Sequence, residues 1–418
     1  MRHLSLFERQ DVAIGPAGVL TSEDAEALGR MEPSLPRGTI SWGRHSLQFG
    51  PFCGVLRAGD VSIELLPKTG ASTNHSGVLV AMLHATGLLT SAASEGALGS
   101  QRLRLLDRFV LDFCDRVTTR LREGMIARYE RQEENLRAVR GRLSIVDQLR
   151  ANVFDQSRVY CHFDERTVDN QHNRALKFVL QKLRSIAVAA STKGNVTALL
   201  HRFDAVRDVA LRAADVEALS FDRMTAPWKP VFERAVWLLK QLFPNVRLGD
   251  AVGSHLLFNM ERLFESYIGG RVRKAWERSI TPWFSVGLQS PQVFLAPVDR
   301  EFRLKPDMAI ARSGKVEAIF DTKWKQLGAG SIMSQVSADD VYQMTAYAVR
   351  YGAQSVTLVY PTARDSGHFG RSASVRLGVP GGPELRVCEV DIDRLTRGAS
   401  LPDLLMPTEG HEFDVGVT

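Results

Sequence analysis

The sequence predicts an α+β multidomain protein, with an N-terminal β-rich plus helical region followed by a C-terminal α/β core on a mixed sheet. Three observations predict it. Short β-like runs, Thr39 to Trp42 and Val61 to Leu66, lie among Gly and Pro punctuation in the first hundred residues. Apolar residues then recur at helical steps, at Leu106, Phe109, Phe113, Val117, Leu121 and Met125. Beyond residue 245 the order becomes helix, hairpin, helix, strand. The expected division is 1–100 as a β-rich domain, 101–245 as a helical coupling region and 246–418 as the α/β domain.

Element by element, the apolar stripe predicts one long helix from Arg102 to about Leu136. Further helices are expected from Arg174 to Val188 and from Pro230 to Leu242, the second opening on a proline suited to a first turn. Phe243-Pro244-Asn245 and then Gly249-Asp250 break that helix and set the expected boundary. Past it, Leu256, Met260, Leu263 and Tyr267 mark one face of a helix from Ser254 to about Lys274. Two strands, Arg303 to Ala311 and Val316 to Trp324, flank Ser313-Gly314; a helix over Ala338 to Arg350 and a buried strand over Ser355 to Tyr360 follow.

Composition narrows the function classes. Lys and Arg outnumber Asp and Glu by 53 to 47, an excess that permits a polyanionic partner and equally suits a solvated basic surface. Cys53, Cys114, Cys161 and Cys388 form no CxxC spacing, so neither a structural zinc site nor a disulfide framework is expected, and a reducing compartment fits. No run approaches the roughly 20 apolar residues that span a bilayer. The opening MRHLSLFERQ has no apolar stretch with a small-residue cleavage site. No membrane association and a cytoplasmic location are expected.

The hairpin carries the chemistry. With Gly314 at its tip, residues whose numbers sum to 628 face each other, which sets Asp307 across from Asp321. Side chains alternate along a strand, so Lys323 shares a face with Asp321. Two carboxylates about 4 Å apart repel by roughly 4 kcal/mol at an effective dielectric near 20. A cation between them removes that cost, and magnesium prefers one or two carboxylates completed by waters. Such an ion polarises a scissile phosphate, while Lys323 orients or deprotonates the attacking water. The same register opposes Lys305 to Lys323, which either adds positive charge for a phosphate or argues against the pairing. An isolated DxK triplet is more often a surface ion pair. Here Pro306-Asp307 and the buried run Ile319-Phe320 surround it.

RLKPDMAI followed by VEAIFDTKWK resembles the PD-(D/E)xK nuclease core in the form carried by the McrC family, the nuclease subunits of McrBC-type modification-dependent restriction systems. FNMERLFESYI resembles that family's helix before the hairpin, and DDVYQMTAYA its helix after it. Upstream, Ile63 to Lys68, Glu134 to Leu143 and Cys161 to Arg174 are similar to family segments, so the resemblance runs intermittently from about residue 50 to 365. It implies a PD-(D/E)xK nuclease domain with Asp307, Asp321 and Glu265 as metal ligands and Lys323 as a catalytic residue. It also implies magnesium as cofactor, with manganese able to substitute. Glu261, one turn earlier on the same face, is the rival to Glu265, and a solvated helix face suits either. Gln343 and Tyr347, one helical turn apart, match a Gln-x-x-x-Tyr motif of related nucleases expected to border the site and contact DNA. The alternative is a core tyrosine beside a polar neighbour.

The implied function is a metal-dependent double-stranded DNA endonuclease that docks on a McrB-like AAA+ GTPase ring and stimulates it. The chain has no GxxxxGK[ST] loop of its own, consistent with a subunit role. Arg140 and Arg142, flanking Gly141, suit a phosphate or an acidic partner surface and equally a solvated turn. Two alternatives stand beside this reading: a non-catalytic assembly or regulatory subunit, and a RecB-like exonuclease. The chain lacks the cysteine cluster that an iron–sulfur centre needs, which disfavours a Cas4-like form.

Overall fold

The computed structural model describes residues 2–68, 74–90, 104–155, 157–243, 253–278, 284–328, 330–362, 370–378, 382–401 and 405. They fall into two compact units. Ser91–His255 is one, and Met1–Thr90 with Leu256–Thr418 is the other. The expected three-way division differs from this, because the N-terminal ninety residues share a unit with the C-terminal part. The reason lies in one sheet. Its strand order is Arg2–Phe7, Val61–Leu66, Phe52–Ala58, Ser254–Asn259, so the last strand belongs to the segment that leads into the C-terminal core. Gly54 makes the approach feasible: at φ +140, a Cβ there would lie 1.9 Å from the Leu256 carbonyl oxygen. The expected break at 244–250 lies outside the described residues.

Two helix expectations change. Leu256, Leu257 and Phe258 are all buried in succession, which a helix face cannot do, and Ser254–Asn259 is a strand. The helix starts only at Met260 and runs to Arg278, with the Asn259 side chain accepting from the Arg262 N–H at 3.0 Å. Within Ser91–His255, the helix carrying the apolar stripe is Leu105–Leu121. Gly124, at φ +113, turns the chain out of it. Arg128–Leu136 then forms a strand antiparallel to Val159–Thr167 over nine residues. The helices Gln171–Ile186 and Lys229–Leu242 fall close to their expected spans. In the Asn170–Asn173 turn, both side-chain amides donate to the Ile126 carbonyl, at 2.9 and 2.7 Å, so this part of the family-like segment is a buried brace.

The C-terminal core is a six-stranded mixed sheet, ordered Phe284–Leu288, Met308–Arg312, Lys315–Thr322, Ser355–Pro361, Glu384–Val390, Ser372–Arg376. The first three strands are antiparallel, the next two join in parallel and the last returns antiparallel. Helix Ala338–Tyr351 packs Met344, Tyr347 and Ala348 into the cluster formed by Ile319, Val356, Leu358 and Leu385. The first strand of the expected hairpin divides at Pro306, which has no N–H to donate. Upstream of it, Glu301–Leu304 pairs with Val293–Ala296 as a separate ribbon.

Candidate active site

The hairpin sets the geometry. Met308 faces Phe320, Ala309 faces Ile319 and Ile310 faces Ala318. Each pair sums to 628, the register that sets Asp307 opposite Asp321. Nearer the tip the pairing slips, to Ala311 with Val316 and Arg312 with Lys315. The turn is Ser313-Gly314, both at positive φ (49° and 83°), the two-residue turn that follows strand twist. Such a turn is centred between its two residues. Glu317, left over between the two registers, is the bulge residue that restores the offset before the acidic pair.

Asp307 Oδ2 accepts from the Thr322 N–H and from the Thr322 hydroxyl, both at 2.7 Å. Burial raises its pKa against those two donors. Asp321 is 3% exposed, and burial followed by the charge of Asp307 pushes its carboxyl up to about 6. The Lys323 ammonium lies 2.7 Å from Asp321 Oδ2. That oxygen meets no other donor among the described residues. Lys323 also donates to Gln343 Oε1 at 2.8 Å and lies 3.8 Å from Asp340 Oδ1. Gln343 Nε2 in turn donates to the Tyr347 hydroxyl at 3.0 Å, which donates to the Lys305 carbonyl at 3.1 Å. Tyr347 is thus both a core residue and the end of a polar chain that begins at Asp321. Burial pulls the Lys323 pKa down, but Asp321, Asp340 and Asp307 outweigh it, and the ammonium is held above its ordinary value. A lysine held charged in this way donates hydrogen bonds.

Glu265 and Glu261 part company. Burial, then the charge of Asp307, raises the Glu265 carboxyl, and Gln289 Nε2 donates to it at 2.5 Å. Glu261 is exposed and pairs with Arg9 at 3.6 Å. Lys305 lowers the pKa of both Asp307 and Glu265, so its charge serves the carboxylates. Among the described residues, no three His, Cys, Asp or Glu side chains form a ready-made metal-binding group. Lys323 lies against Asp321 Oδ2 and Gln289 donates to Glu265. Two hard carboxylates that repel each other, one with an oxygen lacking a neutral donor, still fit magnesium, which needs only one or two with waters.

Sequence reasoning missed Asp340, Lys325 and Thr322. Asp340 binds Lys325 at 2.6 Å and accepts from the Tyr360 hydroxyl at 3.0 Å. Its spacing of three residues before Gln343, which places both on one helix face, was the available signal. In the Ser91–His255 unit, Arg140 pairs with Glu165 at 3.1 Å and stacks 4.1 Å over the Phe163 ring, while Arg142 is exposed. Gly141 is required between them, since at φ +68 a Cβ would lie 2.5 Å from the His162 carbonyl oxygen.

A family model described as McrBC 5-methylcytosine restriction system component matches residues 47–361. A search among curated proteins finds no match. Among solved structures, a chain in a tetradecameric assembly of Thermococcus gammatolerans McrB AAA+ hexamers with bound McrC is 16% identical, with a TM-score of 0.72. The match covers 96% of this chain and 97% of that one. A chain of the Thermococcus gammatolerans McrBC complex, determined by cryo-EM, is 18% identical with a TM-score of 0.51, over 64% of this chain and 86% of that one. At these identities the likeness establishes the fold. No helix among the described residues is long and apolar enough to cross a membrane.

Proposed function

The chain belongs to the family of McrBC 5-methylcytosine restriction system components, and from that premise we propose that it is the DNA-cleaving subunit of a McrBC-like defence complex. The observation that carries the reading is the meeting of Asp307 and Asp321 at the open end of the hairpin: Asp307 is held by Thr322, next to Asp321, and its charge adds to burial in pushing the Asp321 carboxyl up to about 6. An arrangement that costly to ionise is explained by a cation that the two carboxylates share. Asp307 and Asp321 would hold magnesium, or manganese in its place, with Glu265 joining directly or through water. When bound, the ion supplies Lewis-acid polarisation of the phosphate and a more acidic bound water.

The chain's own residues do the rest. Lys323, charged and fixed by Gln343, offers its N–H groups to the attacking water and to negative charge developing on the phosphate. Tyr347 and Gln343 set where that ammonium points. Lys305 adds a second positive charge beside Asp307.

Docking on an AAA+ ring suits the Ser91–His255 unit. On the short helix Ile145–Ala151, Ile145, Val146 and Leu149 are 68%, 60% and 67% exposed, and Val153 and Phe154 continue the bare apolar surface. Surfaces of this kind mark protein interaction sites. The Thermococcus gammatolerans assembly that this chain resembles contains McrB AAA+ hexamers with bound McrC, which supports such a partner here.

The test is cleavage of methylated duplex DNA by the chain together with its ring-forming nucleotide hydrolase. Cleavage is expected with magnesium or manganese, to be lost in Lys323→Ala, and to be poor with calcium. Full cleavage in excess EDTA would rule the reading out.

A further inference from the structure

Asp321 Oδ2 is occupied by the Lys323 ammonium at 2.7 Å, so a divalent cation and this lysine compete for one oxygen. The ammonium has one other acceptor, the neutral Gln343 Oε1 at 2.8 Å. It also lies 3.8 Å from the charged Asp340 Oδ1, an ion pair too long for a hydrogen bond. Asp340 is well built for the purpose. Its other oxygen is fixed by Lys325 at 2.6 Å and by the Tyr360 hydroxyl at 3.0 Å. Tyr360 is fully buried, and the Asp340 side chain is only 12% exposed, so the carboxylate cannot swing away. Although burial opposes it, these donors hold Asp340 ionised, below the usual carboxylate range.

We propose that Asp340 is a positioning residue that draws the Lys323 ammonium off Asp321, freeing that carboxylate for the metal while keeping the lysine in the site. The inference rests on the metal-dependent reading above and names a residue beyond it. Without the charge of Asp340, Lys323 stays on Asp321 and the cation has to displace it unaided. Asp340 acts through Lys323 and touches neither metal nor phosphate.

The test is manganese binding to the full chain without DNA, followed by electron paramagnetic resonance or calorimetry, with circular dichroism confirming each fold. Asp340→Asn preserves the shape and should weaken manganese binding about tenfold, in the range seen for residues that orient metal ligands. Lys323→Met, which removes the competitor, should bind as tightly as the parent or more so. The decisive comparison is the double variant Lys323→Met/Asp340→Asn, expected to match Lys323→Met alone, since Asp340 then has nothing to draw away. Asp340→Glu should restore part of the loss. If Asp340→Asn binds like the parent, the inference is overturned and the nuclease reading stands. If Asp340→Asn costs the same tenfold in the Lys323→Met background, the carboxylate acts by its own charge and the positioning role is wrong. A parent chain that binds no manganese overturns the metal reading and this inference with it.

Discussion

Trp324 Nε1 donates to both carboxylate oxygens of Glu8 at 2.8 Å, across 316 residues of sequence. Trp324 directly follows Lys323, and its ring lies 5.3 Å from that of Phe264, the neighbour of Glu265. One tryptophan therefore packs beside two proposed site residues, and an N-terminal acid holds it. Glu8 is 2% exposed and also accepts from the Lys68 N–H at 3.1 Å. The N-terminal strands are part of the scaffold on which the proposed site stands.

Glu8→Ala should destabilise the protein by about 1–3 kcal/mol, because a buried indole N–H then loses its acceptor. Glu8→Gln keeps one acceptor oxygen and should cost less. Thermal unfolding of both variants measures this. An unchanged midpoint in Glu8→Ala would mean that the contact contributes nothing to stability.

The same residue predicts a pH dependence. Burial, only partly offset by the donors Trp324 and Lys68 and by Arg9, raises the Glu8 carboxyl from 4.5 to about 7. A pKa raised in the folded state favours the protonated form. Its contribution is thus fully present below about pH 4.5 and is lost as pH rises through about 7. Between those values the parent should lose stability relative to Glu8→Gln, which has no proton to release. Parallel pH dependences in the two proteins would refute the assignment.

The hairpin was legible because its chemistry is local: two short β runs, a Ser-Gly turn, an acid on each strand. Even so, the turn at Ser313-Gly314 shifts the register by one, and only the Glu317 bulge, unmarked in the sequence, returns Asp307 to Asp321. The helix expected from Ser254 failed because Leu256 and Met260 fit a helical step as well as they fit a strand followed by a helix. Asp340 escaped notice because an acid in a first helical turn reads as a partner of the helix dipole. Glu8 had no local signal at all. Its role comes from a contact that closes 316 residues of chain, which no windowed pattern sees.

Asp321→Asn should separate stability from function. At pH 8 without metal, the parent carries an ionised Asp321 that is buried and faces Asp307. Its rise from 3.8 to about 6 sets a ceiling of about 3 kcal/mol on the strain the amide relieves. The variant should therefore unfold at a higher temperature than the parent at pH 8 while cutting no DNA. A variant that cleaves normally would remove Asp321 from the site, and one that is markedly less stable would show that the Lys323 ion pair outweighs the burial.

The arrangement of the two units changes how the coupling reading has to be tested. Removing residues 1–245 is expected, from sequence, to abolish partner binding and leave an intact metal site. Such a truncation also deletes Phe52–Ala58, the sheet neighbour of Ser254–Asn259, and deletes Glu8 from beneath Trp324. The remaining chain should misfold, so its failure would say nothing about docking. Ser91–His255, however, is one continuous stretch of sequence. Replacing residues 92–252 by a flexible Gly/Ser linker keeps every strand of the N-terminal sheet and all the proposed site residues. The excised chain should fold cooperatively and bind manganese like the parent, yet neither co-elute with the AAA+ partner nor stimulate its nucleotide hydrolysis. Replacing Leu149 and Phe154 by Ser in the full chain should weaken co-elution in the same direction, since both side chains are bare in the free protein. Partner stimulation by the excised chain would place the docking surface on the other unit and end the proposed assignment of coupling to Ser91–His255.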